Sequence, residues 1–279
     1  MLLEKREKMV QISVAIRTRD EEEQFKDLMD ILLNQTLLPS EVILVNNYSS
    51  EAALASFENS LKALAPLLKK KSVKAKLVSF PDRGFSHPYS TNLGIFFAEN
   101  ELVAITNAHT LPISSDWLAH GARHFKNHKV ACVTGYSFPL EKNRSLSKLS
   151  RYVYYGSERI ILRFNWTSTV NCIIRKSLWD AYPFDENLSK IILATKAYGC
   201  EDYDWSKEMQ ARGFKTVVDP HFSVYHSHRR GLQEAERNVR IYVTHRRIQQ
   251  LINRFKRPRK AFTRVKEGEK SDDVHFFEC

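Results

Sequence analysis

Two hydrophobic periods alternate along this chain between residues 10 and 136, and few folds accept that pattern. Residues 10–16 form a β-rich apolar run that reads as a buried strand. Residues 21–34 then place Phe25, Leu28, Met29, Leu32 and Leu33 at helical spacing. Pro39 breaks the chain before a strand at 42–45. A helix at 54–68, a strand at 73–80, a helix at 89–99 and a strand at 102–106 follow, then a helix at 116–125 and a strand at 130–136. Strands separated by helices imply a mostly parallel α/β sheet covered on both faces. Ligands of such sheets bind beyond the carboxyl ends of the strands. The segments to watch are therefore 17–21, 46–50, 81–87 and 107–112.

Beyond residue 140 the pattern loosens. Helices are expected at 146–161 and 203–212, the latter stopped by Gly213, and strands at 169–174, 215–218 and 222–225. Residues 232–255 read as one long helix ending before Pro258. The expected division is a domain at 1–228 and a basic helical extension and tail at 229–279.

Charge supports that division. The net charge is +11, yet residues 229–270 alone hold 14 Lys/Arg against 4 Asp/Glu. The stripe Leu232, Ala235, Val239, Tyr242, Val243, Leu251 and Phe255 is flanked by Arg237, Arg240, Arg246, Arg247, Arg254 and Lys256. Such a helix either packs on the domain or, across 232–260, docks on an anionic membrane surface. Nucleic acid is the weaker partner, because no recognised nucleic-acid module accompanies the charge. No apolar run approaches the ~20 residues that span a bilayer. Residues 1–9 lack the apolar stretch of a secretory signal. The expected address is the cytoplasm, at most peripheral on the inner face of a membrane. Cys132, Cys172, Cys200 and Cys279 show no Cys-x-x-Cys spacing, so they read as reduced thiols.

Three stretches carry a resemblance. They are VQISVAIRTRDEEEQFKDLMDILLNQTLLPSEVILVNNYSS, RGFSHPYSTNLGIFFAENELVAITNAHTLPISSDWL, and FDENL with CEDYDWSKEMQARGFKTVVDPHFSVYHSH. In order and spacing they resemble family 2 glycosyltransferases of the GT-A fold. The resemblance implies a Rossmann-like, mostly parallel sheet and a nucleotide-sugar donor carrying UDP, GDP or dTDP. It also implies an inverting hexosyl- or deoxyhexosyltransferase with a glycan or lipid-linked acceptor. Sugar transfer expels a diphosphate, whose growing charge needs a cation, and the acceptor hydroxyl must lose a proton to a carboxylate.

Residue by residue, the resemblance puts Thr18 and Asp20 beside the nucleoside and Asn46 or Asn47 on the base or ribose. Relatives usually carry Asp where these two asparagines stand, though an amide still offers donor and acceptor. Arg83 would approach the diphosphate. The family's Asp-x-Asp falls on Asn107-Ala108-His109, with Asn107 on the ribose and His109 a metal ligand. Imidazole plus diphosphate oxygens suits Mn²⁺ better than Mg²⁺. His226 or His228 would complete the metal shell. Of the pair Glu201-Asp202, Asp202 is the expected base and Glu201 its support, although carboxylates at a helix start also serve the helix dipole. Trp205 either platforms the acceptor sugar or packs in the core. Two alternatives remain. One is a non-catalytic relative that binds a nucleotide sugar or a partner, against which the retained acidic pair argues. The other, a nucleotidyltransferase, lacks its Gly-rich phosphate loop.

Overall fold

The structure, a computed structural model, describes residues 10–138, 167–186, 201–226 and 274–278. An eight-stranded mixed sheet forms its centre. The first four strands are β1 (Ile12–Thr18), β2 (Glu41–Tyr48), β3 (Lys74–Pro81) and β4 (Leu102–Asn107). They run parallel in the order β3-β2-β1-β4. All seven residues of β1 are buried, as expected of a central parallel strand with both faces covered.

Helices α1 (Glu22–Leu33), α2 (Glu51–Lys71) and α4 (Trp117–Arg123) share one apolar core with one face of the sheet. The five residues at helical spacing in α1 are all buried. The opposite face packs against α3 (His87–Phe96), α5 (Lys176–Ala181) and α6 (Glu201–Ala211) through Tyr89, Leu93, Trp179, Trp205 and Met209. Gly94 lets α3 lie close on the sheet, since a Cβ there would stand 2.9 Å from the Ala15 Cβ.

Beyond β4 the sheet changes direction. β8 (Asn171–Arg175) runs antiparallel between β4 and β6 (Val130–Thr134), and β9 (Lys215–Val218) closes that side parallel to β6. β11 (His275–Glu278), within the expected tail, adds antiparallel to β3 at the other edge. A small second sheet joins β5 (Thr110–Pro112), β10 (Val224–His226) and β7 (Ser137–Phe138) in the order β5-β10-β7.

Several boundaries differ from expectation. β1 starts two residues later than expected and extends to Thr18. α2 runs past both expected ends, because Ser50 caps it by accepting from the Ala53 N–H at 3.2 Å and Ser72 closes it in a left-handed conformation. The strands β5, β7 and β11 were not expected from the periodicity. The helices expected at 146–161 and 232–255 lie outside the described residues, and so does any test of a membrane-docking face at 232–260. Among the described residues, no helix is long and apolar enough to cross a membrane.

The close approach of α3 makes Gly94 a point of failure. Gly94→Ala should lower unfolding stability by about 1–3 kcal/mol, the usual scale for overpacking. Urea denaturation with an unchanged m-value checks this; an unchanged midpoint would mean that α3 tolerates the shift.

Candidate active site

The register of the parallel strands gathers the polar residues at one end of the sheet. Thr18 pairs with Asn46, and Arg17 pairs with Asn107. Asn47 and Tyr48 stand level with Phe80 and Pro81 at the end of β3. The segments after β1, β2, β3 and β4 therefore open on a common rim, as sheets of this kind require of a binding site.

On one side of the rim the expected nucleoside residues brace one another. Asp20 adopts φ 54°, the left-handed region that Asp tolerates better than most residues. Its backbone N–H donates to Asn46 Oδ1 at 3.2 Å, and its Oδ2 accepts from the Ser49 N–H at 3.0 Å. The Thr18 hydroxyl accepts from the Glu21 N–H at 3.3 Å. Asn47 donates to Asp82 Oδ1 at 2.9 Å, and Arg19 pairs with Asp82 Oδ2 at 2.6 Å. Asp20 Oδ1 and Asn46 Nδ2 are buried with no hydrogen-bond partner among the described residues. Buried polar atoms are nearly always paired, so this acceptor and donor mark a place for ligand or water. Arg83 follows Asp82 in a short 3₁₀ turn and is exposed.

The second group lies beyond β4. His109 Nδ1 lies 2.9 Å and 3.0 Å from the two carboxylate oxygens of Glu21. A carboxylate only accepts, so Nδ1 carries the hydrogen and Nε2 turns the other way. Nε2 meets the Nε2 of His226 at 3.1 Å, with ring centroids 4.9 Å apart. The pairing of β5 with β10 sets His226 level with Thr110 and so creates this contact. His228 lies outside the described residues. A metal ion here would find two imidazole nitrogens, one of them backed by a carboxylate in the arrangement typical of metal-bound histidine. Among the described residues, no group of three or more His, Cys, Asp or Glu side chains is placed to hold a metal ion. The two imidazoles therefore fit part of a coordination shell, the remainder falling to diphosphate oxygens and water.

The acidic pair opens α6. Glu201 is buried, 4% exposed, whereas Asp202 is half-buried. Burial pushes the Glu201 carboxyl up to about 7, and the Asp202 charge adds to that shift; a backbone N–H bond and Arg17 pull the other way. Asp202 Oδ1 accepts from the Tyr203 N–H at 2.8 Å. Two adjacent carboxyls in unlike surroundings can divide acid and base roles. Trp205 does not reach the rim. It is wholly buried, 5.9 Å from the Phe184 ring, so it packs the core and offers no face to an acceptor sugar.

One residue that opens the watched segment 17–21, but to which no site role was assigned from the sequence, sits between these groups. Arg17 ends the buried face of β1 that carries Ala15. Its Nε–H donates to Asn107 Oδ1 at 3.1 Å, Nη1 to the Thr91 hydroxyl at 3.0 Å, and Nη2 to the Thr169 carbonyl at 2.9 Å. Burial lowers its pKa, while Glu201, Cys172 and Asp202 act to raise it. The Cys172 thiol is itself pushed well up by burial, so the groups that favour the charged form of Arg17 are the two carboxyls of α6. Glu21 was passed over as well, having read only as an acidic helix start. The signal available for Arg17 was a cation directly following an apolar strand.

A parallel sheet in the order β3-β2-β1-β4, with a reversed strand beyond it and a rim of this composition, defines a GT-A fold. The sequence profile of Glycosyl transferase family 2 matches residues 13–178, more than half of the chain, and the protein belongs to that family. Among solved structures it is similar to the mannosyltransferase PcManGT from Pyrobaculum calidifontis, in complex with GDP-Man and Mn²⁺. The TM-score is 0.61 and the identity 16%, over 90% of this chain and 67% of that one. It is also similar to residues 1–349 of TarS from S. aureus in complex with UDP-GlcNAc. There the TM-score is 0.53 and the identity 16%, over 80% of this chain and 60% of that one. Likeness at such identity is likeness of fold. No curated protein sequence matches the chain.

The raised Glu201 carboxyl predicts a pH signature. The unfolded chain loses this proton near 4.5 and the folded chain near 7, so the folded form binds more protons in between. Stability contributed by this group therefore falls as pH rises through that window. The stability of Glu201→Gln relative to the wild type should climb from pH 4.5 to pH 7 and level off above. Denaturant titrations at several pH values read the difference; a constant gap would place Glu201 in an ordinary solvated setting.

Proposed function

We propose that the protein transfers a sugar from a nucleotide-sugar donor to a hydroxyl of a glycan or lipid-linked acceptor, with inversion. The observation that carries this reading is Arg17, which is bonded to Asn107 and lies within electrostatic reach of the acidic pair Glu201 and Asp202. It thereby links the nucleotide half of the rim to an acidic half. The donor's nucleoside would lie along Thr18, Asp20, Asn46 and Asn47, with Arg83 near the diphosphate. The similar structures hold GDP-Man and UDP-GlcNAc, which supports a nucleotide sugar as donor.

In this reading Asp202, the more accessible carboxylate, takes the acceptor proton as its oxygen attacks the anomeric carbon. Glu201, buried behind it, holds a proton near neutral pH and limits the charge gathered there. His109 and His226 would hold a divalent cation, Mn²⁺ in preference to Mg²⁺ because the protein's ligands are nitrogens. Such an ion, when bound, neutralises charge growing on the departing diphosphate. Glu21 keeps the hydrogen on His109 Nδ1 and so aims the Nε2 lone pair outward. The basic segment 232–260 is proposed to hold the enzyme at an anionic cytoplasmic membrane surface, where a lipid-linked acceptor would be found.

Asp202→Asn should retain donor affinity and lower turnover by about 10²–10⁴-fold, the scale of a general base. Steady-state kinetics with parallel calorimetry reads both quantities, and wild-type turnover would remove Asp202 from the role. His109→Ala should abolish the gain in donor affinity that Mn²⁺ gives the wild type. Equal affinity with and without Mn²⁺ in both proteins would exclude the metal.

A further inference from the structure

Position 107 is where the family resemblance expects a carboxylate, and in the structure its amide is bonded to Arg17. An arginine can only donate, so the Asn107 atom facing Arg17 Nε at 3.1 Å must be the carbonyl oxygen. This settles an amide orientation that is otherwise ambiguous. The Asn107 Nδ2 then occupies the other arm of the fork, and among the described residues nothing accepts from it. Arg17 is itself held at three points, by Asn107, Thr91 and the Thr169 carbonyl, so it cannot swing away to release the amide. Asn107 is half-buried at the end of β4, two residues before His109, so its free arm lies at the rim.

We propose that Arg17 is a positioning residue that locks the Asn107 amide with its N–H groups toward the ligand, so that position 107 grips an oxygen of the nucleotide and does not coordinate a cation. The oxygen is a ribose hydroxyl or a phosphate oxygen, since both offer lone pairs to an N–H. The division of labour follows from charge. An Asp at 107 would have its negative charge absorbed by Arg17, would meet a phosphate oxygen lone pair to lone pair, and could hold a ribose hydroxyl only by accepting from it. Cation binding is left to the imidazoles of His109 and His226. This inference rests on the nucleotide-sugar reading above and adds a specific role for a residue outside the family pattern.

Calorimetry with UDP and GDP, in Mn²⁺ and in EDTA, tests it on wild type, Arg17→Lys, Asn107→Asp, Asn107→Ala and Arg17→Lys/Asn107→Ala. Asn107→Asp keeps the acceptor for Arg17 and so keeps the fold, but loses the outward N–H. Its affinity for the nucleotide that the wild type binds should fall at least about tenfold, with the unfolding temperature preserved. Arg17→Lys keeps the charge without the fork and should weaken binding to a similar degree. The double variant should bind no more weakly than Asn107→Ala alone, because both changes disable one interaction. Repeating the measurement with the 2′-deoxy and 3′-deoxy nucleotides separates the two oxygens: the Asn107→Asp penalty disappears with one of them if that hydroxyl is the partner and persists with both if a phosphate oxygen is. Wild-type affinity in Asn107→Asp, or additive losses in the double variant, overturns the inference while leaving the donor site standing. A wild type that binds neither UDP nor GDP in either condition overturns the donor-site reading, and this inference with it.

Discussion

Arg17 puts a guanidinium at the end of the central strand, 9% exposed, on the face that carries Ala15, Ile43, Val45 and Val78. A charge in that place is tolerated only if its hydrogen bonds are met and opposite charges stand near. Here Asn107, Thr91 and the Thr169 carbonyl meet the first need, and the carboxyls opening α6 meet the second. These partners come from β4, α3, the segment before β8 and α6. The hydrogen bonds of one side chain thus tie three chain segments together at the rim, with the carboxyls of α6 balancing its charge, and stripping a partner from a buried charge of this kind commonly costs about 3–5 kcal/mol.

The far end of the sheet is secured by a different buried ionic group. Lys76 on β3 pairs with Glu41 on β2 at 2.8 Å, and Glu41 also accepts from the Ser13 hydroxyl on β1 at 2.6 Å. The three parallel strands are therefore tied at their amino ends by a satisfied polar cluster, while their carboxyl ends carry polar atoms such as Asp20 Oδ1 and Asn46 Nδ2 that lack partners among the described residues. Satisfied groups rigidify, and unsatisfied ones await a ligand or water. That asymmetry matches the rule that sites on such sheets lie beyond the carboxyl ends of the strands.

Local periodicity made much of this legible in the sequence. The apolar spacing of α1 and the unbroken run of β1 reported burial directly, and the rim segments followed from the strand ends. Long-range pairing was not legible. Nothing in the residues of β8 says that it inserts antiparallel between β4 and β6, and β11 is too short to stand out from a charged tail. The candidate site divided in the same way. The rim segments followed from strand ends, and the family resemblance, not position, gave Thr18, Asn46 and Asn107 their expected roles. Arg17 and Glu21 delimit one of those segments but received no role, because their partners lie 90 and 88 residues away. Trp205 shows the converse: its aromatic ring was compatible with a sugar platform or with the core, and only the packing of α6 against the sheet decided for the core.

The most direct measurement is a donor panel: UDP-, GDP- and dTDP-sugars, each with and without Mn²⁺, followed by thermal shift and by release of the nucleoside diphosphate. The account predicts that one nucleotide class raises the unfolding temperature and that its sugar is slowly released or transferred. No thermal shift and no diphosphate release with any member of the panel would contradict it.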